Sequence, residues 1–216
     1  LQQEQLARSL GEGHRVIHGV AGSGKTLILG YRAEHLAKLS QRPIAILCYN
    51  KTLAAKLAAM IEQKGLGDKI VAINFHAWCM RQLDTYHVDK PAKSADLDAY
   101  FEACIDSVIR GVDSDLIPRG QYDAVLIDEG HDFKPAWFKL IVQMVNPETK
   151  SLLVLYDDAQ SIYHTAKKLK FSFSSVGVHA AGRTTILKLN YRNTAEILPV
   201  ARPFAAELLT AHNTEA

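Results

Sequence analysis

The sequence predicts an α/β fold of three layers, in which a mostly parallel sheet is covered by helices on both faces. Three observations support this prediction. Short apolar runs alternate with longer segments of helical period, the pattern of parallel strands joined by helical crossovers. Of the 216 residues, 48% are hydrophobic, which is enough to bury such a core as one domain over residues 1–216. Each apolar run also ends at a polar residue, so polar side chains are expected at the strand ends.

The apolar runs and helical segments predict a definite order of elements. Candidate strands lie at residues 15–18, 44–48, 70–73, 124–127, 152–155 and 185–189. Candidate helices lie at residues 2–10, 25–39, 52–64, 76–83, 95–109, 135–145 and 194–209. Asn50 is expected to cap the third helix and Gly65 to end it, while Pro135 suits the first turn of the sixth helix. Pro199 and Pro203 are expected to interrupt the last helix.

The remaining features of composition exclude some classes of protein. The polar segment at about residues 84–120 is expected to form a small helical insertion on the sheet. No apolar run approaches the roughly 20 residues of a membrane span, and the N-terminus lacks the pattern of a signal peptide, so we expect no membrane partner and a cytoplasmic location. The three cysteines are odd in number and far apart, which indicates neither a disulfide framework nor a zinc site. The net charge of +2 neither supports nor excludes a nucleic-acid partner.

A glycine-rich segment follows the first predicted strand. Residues 19–26 read Gly-Val-Ala-Gly-Ser-Gly-Lys-Thr, the G-x-x-x-x-G-K-[ST] pattern of a P-loop between a strand and a helix. Its Gly22, Ser23 and Gly24 let backbone N–H groups point at phosphate oxygens. Lys25 would reach the β- and γ-phosphates, and the Thr26 hydroxyl would ligate Mg²⁺. The segment therefore predicts a site for ATP with Mg²⁺.

A pair of carboxylates follows the fourth predicted strand. Asp128 and Glu129 come directly after the apolar run 124–127. An aspartate at the end of a strand neighbouring the P-loop strand holds Mg²⁺ in P-loop enzymes. Glu129 would then polarise the attacking water as a general base, so the pair indicates an ATPase.

Six further segments, taken in chain order, resemble motifs of superfamily I helicases of the UvrD/Rep/PcrA type. They are Gln5, Tyr49-Asn50-Lys51, Asn74-Phe75-His76-Ala77-Trp78, Asp128-Glu129-Gly130-His131-Asp132, Asp157-Asp158-Ala159-Gln160-Ser161-Ile162-Tyr163 and Leu189-Asn190-Tyr191-Arg192. The resemblance implies a RecA-like P-loop NTPase domain that uses ATP and Mg²⁺. It also implies that single-stranded nucleic acid, which is DNA in these helicases, is a partner. A second RecA-like domain of the same polypeptide is implied as well.

The resemblance implies roles for single residues as well. Gln5 would read adenine and Tyr191 would stack on it, whereas Gln160 would sense the γ-phosphate and Arg192 would contact it. An arginine in that place stabilises the charge that develops on the transferred phosphoryl group. The residues that would face single-stranded nucleic acid are Tyr49, Asn50, Phe75, His76 and Tyr163. For Phe75 and Trp78, packing in the core is the favoured alternative.

The chain departs from the family at a few positions. His131 and Tyr156 stand where glutamine and glycine are usual, and His164-Thr165-Ala166 replaces a Gly-Trp-Arg segment. No segment after Arg192 resembles the later motifs, so we expect this chain alone to bind ATP with Mg²⁺, to hydrolyse it slowly and to unwind nothing.

Two alternatives to a motor stay open. One is a helicase-like regulatory or nuclease-associated module that binds ATP without motor activity; the presence of both Glu129 and Arg192 favours the motor. The other is a P-loop kinase or transferase, which gives no account of Gln160.

Overall fold

A computed structural model describes residues 2–20, 22–157 and 171–187 of the chain. Its strands are β1 (His14–Gly19), β2 (Ile44–Cys48), β3 (Ile70–Asn74), β4 (Ala124–Asp128), β5 (Ser151–Asp157) and β6 (Thr184–Leu187). They form one six-stranded sheet in the order β3-β2-β4-β5-β1-β6, and all five pairings are parallel. The predicted α/β fold is confirmed.

Helices cover both faces of this sheet. They are α1 (Gln2–Ser9), α2 (Lys25–Ala37), α3 (Lys51–Gln63), α4 (Phe75–Thr85), α5 (Leu97–Asp113) and α6 (Pro135–Met144). Short 3₁₀ turns lie at Gly130–Asp132 and Phe173–Val176. Within β2, Ile44 and Ile46 pack with α1 to α3, whereas Ala45 and Leu47 pack with α4 to α6. Because side chains alternate along a strand, the continuous apolar runs fill two separate cores.

The predicted helix ends are confirmed where the structure describes them. The Asn50 side chain caps α3 by accepting hydrogen bonds from Thr52 N at 2.8 Å and Leu53 N at 3.1 Å. Gly65 follows this helix with φ of +67°, a conformation that glycine adopts without steric cost. Pro135 begins α6. The predicted last helix, with its two prolines, lies outside the described residues.

The segment predicted as a helical insertion contributes α5 to the layer formed with α4 and α6. Cys104, Ile105, Val108 and Val112 on α5 are buried in the same core as those two helices. All three cysteines are buried free thiols. In the parts of the chain that the structure describes, no helix has the length and apolar character needed to cross a bilayer.

The strand order corrects one expectation about the site. Asp128 ends β4, and β4 is not the neighbour of the P-loop strand β1, because β5 pairs with both of them. A third strand end, at Asp157, therefore lies between the P-loop and the Asp128–Glu129 pair. Strand order depends on long-range packing of the crossover helices, which no local pattern records.

Candidate nucleotide-binding and hydrolytic site

The P-loop connects β1 to α2 at the carboxyl edge of the sheet. Gly22 and Gly24 both have φ of +83°, which L side chains rarely adopt. A Cβ on Gly19 would lie 2.4 Å from the Leu187 carbonyl oxygen on β6. No side chain caps the start of α2, so the first-turn N–H groups and the positive end of the helix face the loop. This backbone fits the phosphates of a nucleotide.

The ammonium of Lys25 is buried at the mouth of this loop. Its side chain is 8% exposed. Lys25 Nζ donates to the carbonyl oxygens of Gly19 at 3.1 Å and Val20 at 3.0 Å. It also lies 3.5 Å from Asp157 Oδ2, at the end of β5. A phosphate oxygen bound in the loop would compete with these oxygens for the ammonium.

The predicted magnesium ligands lie side by side. Thr26 Oγ1 donates to Asp128 Oδ2 at 3.0 Å, although the two residues lie on different elements. Burial raises the pKa of Asp128, and the bond from Thr26 opposes that shift. Among the described residues no cluster of three His, Cys, Asp or Glu side chains could hold a metal. A hydroxyl beside one carboxylate suits Mg²⁺, which keeps waters and substrate phosphates as its other ligands.

Glu129 stands next to this pair in an unusual environment. Its φ is +55°, a left-handed conformation that costs a non-glycine residue about 1–2 kcal/mol. Burial first, and then the charges of Asp128 and Asp157, raise the pKa of Glu129 to about 7. Within the described part of the chain, Glu129 Oε2 is buried without a hydrogen-bond partner. A carboxylate with a pKa near neutrality and a free oxygen suits a general base.

His131 lies between Glu129 and the end of β5. Its Nδ1 accepts a hydrogen bond from Asp157 N at 3.4 Å, so the proton of the neutral ring resides on Nε2. That Nε2 lies 3.5 Å from Glu129 Oε2, which is close but outside hydrogen-bond geometry. Sequence reasoning treated His131 as a departure from the family and missed Asp157 as a site residue. The order of the strands, which no local sequence pattern encodes, brings the two residues together.

Tyr156, the other departure, has a packing role. Its ring stacks on His18 at 5.0 Å between centroids and contacts Phe173 at 5.8 Å. Because these contacts lie on the α4 to α6 face, the tyrosine replaces glycine without entering the P-loop.

The tight turn after Glu129 requires a glycine. A Cβ on Gly130 would lie 2.8 Å from Val154 Cγ1 and 3.1 Å from the Leu155 carbonyl oxygen. We expect Gly130→Ala to lower the free energy of unfolding by about 1–3 kcal/mol through overpacking. Gly30→Ala is the matched control, since its Cβ meets only the flexible end of Met60. Urea denaturation of both variants measures the effect, and equal stability of the two would contradict the expected clash.

The candidate nucleic-acid residues fall into two groups. Tyr49 is 43% exposed, and its ring lies 5.6 Å from that of the half-buried His76. Asn50 is exposed, with its side-chain oxygen used as the helix cap. Phe75 has no exposed surface, so its placement among the nucleic-acid contacts is corrected: the ring stacks on Trp137 at 4.8 Å in the core.

One aromatic residue joins this group that the sequence did not indicate. Phe101, on α5, lies 5.3 Å from the ring of His76. Lys51 Nζ is 6.0 Å from the Phe101 ring. We call Tyr49, His76 and Phe101 the aromatic corner. It lies at the carboxyl ends of β2 and β3, the same edge of the sheet as the P-loop.

Of the remaining predicted site residues, the structure describes only Gln5. Gln5 is exposed on α1, whereas Gln3 is the glutamine whose side chain lies against the P-loop, 3.2 Å from the position of a Cβ on Gly24. Other candidates lie outside the described residues, and they are Gln160, Tyr163, Tyr191 and Arg192.

Comparisons with known proteins agree with this architecture. A sequence profile of the family described as AAA domain matches residues 2–166. The chain is similar to the Pif1 helicase from Candida albicans, with 16% identity and a TM-score of 0.51 over 88% of this chain and 40% of that one. It is also similar to the Hef helicase domain from Pyrococcus furiosus, with 17% identity and a TM-score of 0.50 over 92% of this chain and 39% of that one. The chain thus spans about two-fifths of the length of each structure, with which it shares the fold. No curated protein matches it.

Proposed function

This chain belongs to the AAA domain family, and from that membership and the geometry of its site we propose that it binds ATP with Mg²⁺ and hydrolyses the nucleotide. The glycines of the P-loop and the start of α2 receive the phosphates, and Lys25 neutralises part of their charge. Thr26 and Asp128 hold the metal. Bound Mg²⁺ would neutralise negative charge on the β- and γ-phosphate oxygens.

Hydrolysis depends on Glu129. Its carboxylate accepts a proton from water as the water oxygen bonds to the γ-phosphorus. The bond between that phosphorus and the bridging oxygen breaks, and its electron pair stays on the oxygen of the departing ADP. One observation carries this proposal: a buried carboxylate oxygen with no hydrogen-bond partner among the described residues lies next to the Thr26–Asp128 pair. A domain that used ATP only as a regulatory ligand would have no need of such a base.

We further propose that hydrolysis drives movement on single-stranded DNA, as in the UvrD/Rep/PcrA-type helicases that the motifs resemble. The aromatic corner supports this proposal, because exposed rings at the edge that carries the P-loop can stack on unpaired bases. Lys51, whose ammonium lies beside the Phe101 ring, adds positive charge for the phosphate backbone.

Movement also requires a surface that closes on the nucleotide. We propose that a second RecA-like domain of the same polypeptide faces the P-loop edge. Gln160 and Arg192 would report on the γ-phosphate, and Gln5 and Tyr191 would hold the adenine, with Gln3 as an additional contact. Tyr163 would extend the nucleic-acid path.

The affinity for single-stranded DNA tests the motor proposal. A fluorescein-labelled oligothymidylate is titrated with the chain in the presence of a non-hydrolysable ATP analogue and Mg²⁺, and its anisotropy is recorded. We expect Tyr49→Ala to weaken binding about tenfold or more, because base stacking on an aromatic ring contributes about 1–3 kcal/mol per base. Tyr49→Phe keeps the ring and is expected to bind within about twofold of wild type. Binding to duplex DNA as tight as to single strands, or unchanged binding by Tyr49→Ala, would contradict the proposal.

A further inference from the structure

We propose that a groove at the amino edge of the sheet is a second phosphate-binding site, separate from the P-loop. Its volume is about 460 Å³, within the range of small-molecule sites. Three segments form its walls: the residues before β2, the last turn of α4, and residues 118–122 before β4. Because the strands are parallel, the groove and the P-loop lie at opposite edges. The five residues of β2 separate those edges by roughly 16 Å.

The charged residues that line the groove are all arginines. Arg42, Arg81 and Arg119 line it, and no aspartate or glutamate does so as far as the structure describes the chain. Asp123 lies nearby, but it is buried and its Oδ2 accepts hydrogen bonds at 2.8 Å from the backbone N–H groups of Gln41 and Arg42. The groove therefore presents three guanidinium groups with no carboxylate among its lining residues.

Two of these arginines are held in place and the third is free to bind. Arg42 Nη1 donates to the Gly120 carbonyl oxygen at 2.5 Å. Arg119 forms an ion pair with Asp115 at 2.6 Å and donates through Nε to Gln143 at 3.0 Å. The Arg81 side chain is exposed, and its guanidinium makes no hydrogen bond or ion pair with any other described residue. Anchored arginines lose little side-chain entropy on binding, which makes them suited to a preformed site.

The floor of the groove is polar and rigid. Gln82 is 4% exposed and accepts a hydrogen bond from Gln121 Nε2 at 2.8 Å. The Tyr122 hydroxyl accepts from the indole Nε1 of Trp78 at 2.9 Å. Trp78 is fully buried and stacks on Phe75 at 5.8 Å. The indole N–H of Trp78 therefore reports on the floor without being part of the groove surface.

Phosphate is the ligand chemistry that this arrangement fits best. Guanidinium groups bind phosphate oxygens in a bidentate manner, and a multiply charged phosphate can engage several of them at once. A single carboxylate offers one negative charge and two oxygens, fewer than a phosphate offers to three guanidinium groups. The phosphate can come from a free nucleotide or from a nucleic-acid backbone.

¹H–¹⁵N correlation NMR spectra of the ¹⁵N-labelled chain test the proposal. The probes are inorganic pyrophosphate and an oligothymidylate. We expect saturable shifts of the Gly120 and Gln121 amides and of the Trp78 indole signal. Arg81→Gln is expected to weaken this binding about tenfold, because it removes one charge-assisted contact. Lys56→Gln, which removes one charge from the exposed face of α3, is the matched control and is expected to bind as wild type.

The outcomes separate this site from the nucleotide site. Lys25→Ala removes a phosphate contact of the P-loop, and the shifts in the groove should remain in that variant even if ATP binding is lost. Groove shifts with pyrophosphate indicate a free phosphate ligand, and shifts with the oligothymidylate alone indicate a nucleic-acid backbone. Shifts confined to Gly22 and Gly24, equal weakening by Arg81→Gln and Lys56→Gln, or tighter binding of a polyglutamate peptide would each overturn the proposal.

Discussion

Glu129→Gln is expected to reduce ATP turnover by about 10²–10⁴-fold, the usual contribution of a general base. ATP binding should persist, because Lys25 and Thr26 are unchanged and Glu129 is assigned to the water. Release of radiolabelled phosphate measures turnover, and titration with a fluorescent ATP analogue measures affinity. Glu148→Gln, at an exposed site far from the P-loop edge, is the matched control. Turnover within about threefold of wild type would show that Glu129 is not the base.

Glu129→Gln is expected to stabilise the fold at alkaline pH, although it reduces turnover. The pKa of Glu129 is raised from 4.5 to about 7 by burial first and by Asp128 second, so folding favours the protonated carboxyl. Above pH 7 the folded state must hold the ionised form, and stability is lost as the pH rises through 7. Glu129→Gln should therefore raise the free energy of unfolding at pH 8 by about 1–2 kcal/mol, after allowance for partial solvent screening. Urea denaturation in EDTA at pH 8 and pH 4 measures this; the gain should vanish at pH 4, below the pKa of the unfolded chain. A variant less stable than wild type at pH 8 would contradict the electrostatic account.

Lys25→Ala is expected to weaken ATP binding by about 100-fold or more. The ammonium is the one charged donor among the P-loop side chains, and hydrogen bonds to charged groups contribute about 1.5–3 kcal/mol each. The substitution should also destabilise the fold, because the Gly19 and Val20 carbonyl oxygens and the buried Asp157 lose a cationic neighbour. Isothermal titration with ATP and Mg²⁺ measures the affinity, with Lys56→Ala on α3 as control. An affinity within about threefold of wild type would remove Lys25 from the phosphate site.

Local signals predicted the elements of the fold because their causes are local. Asn50, Gly65 and Pro135 act within one turn of a helix end, and the structure places all three as the sequence predicts. Apolar runs marked the strands, since a strand covered on both faces shows no polar alternation. The order of the strands was not predictable in this way. It placed β5 between β1 and β4, and with it the Asp157 carboxylate beside Lys25.

The residues of the candidate site also differ in whether a local pattern could predict them. The P-loop pattern predicted Lys25 and Thr26, and the end of the apolar run 124–127 predicted Asp128; each depends on one loop or one strand end. The left-handed backbone of Glu129 and the bridge from His131 to Asp157 depend on how residues 130–132 pack against β5, which no spacing encodes. Phe75 and His76 are adjacent in sequence, yet helix geometry turns one ring into the core and leaves the other at the aromatic corner.

The position of β1 in the sheet has a consequence for how the protein forms during synthesis. Both neighbours of β1, β5 and β6, lie far later in the chain, so its pairings close long loops and are among the slower contacts to form. The P-loop leaves the ribosome before β6 and cannot reach its final geometry until β6 has followed it. ATP can therefore bind to a finished P-loop only after synthesis has passed β6, and until then at least one edge of β1 is unpaired.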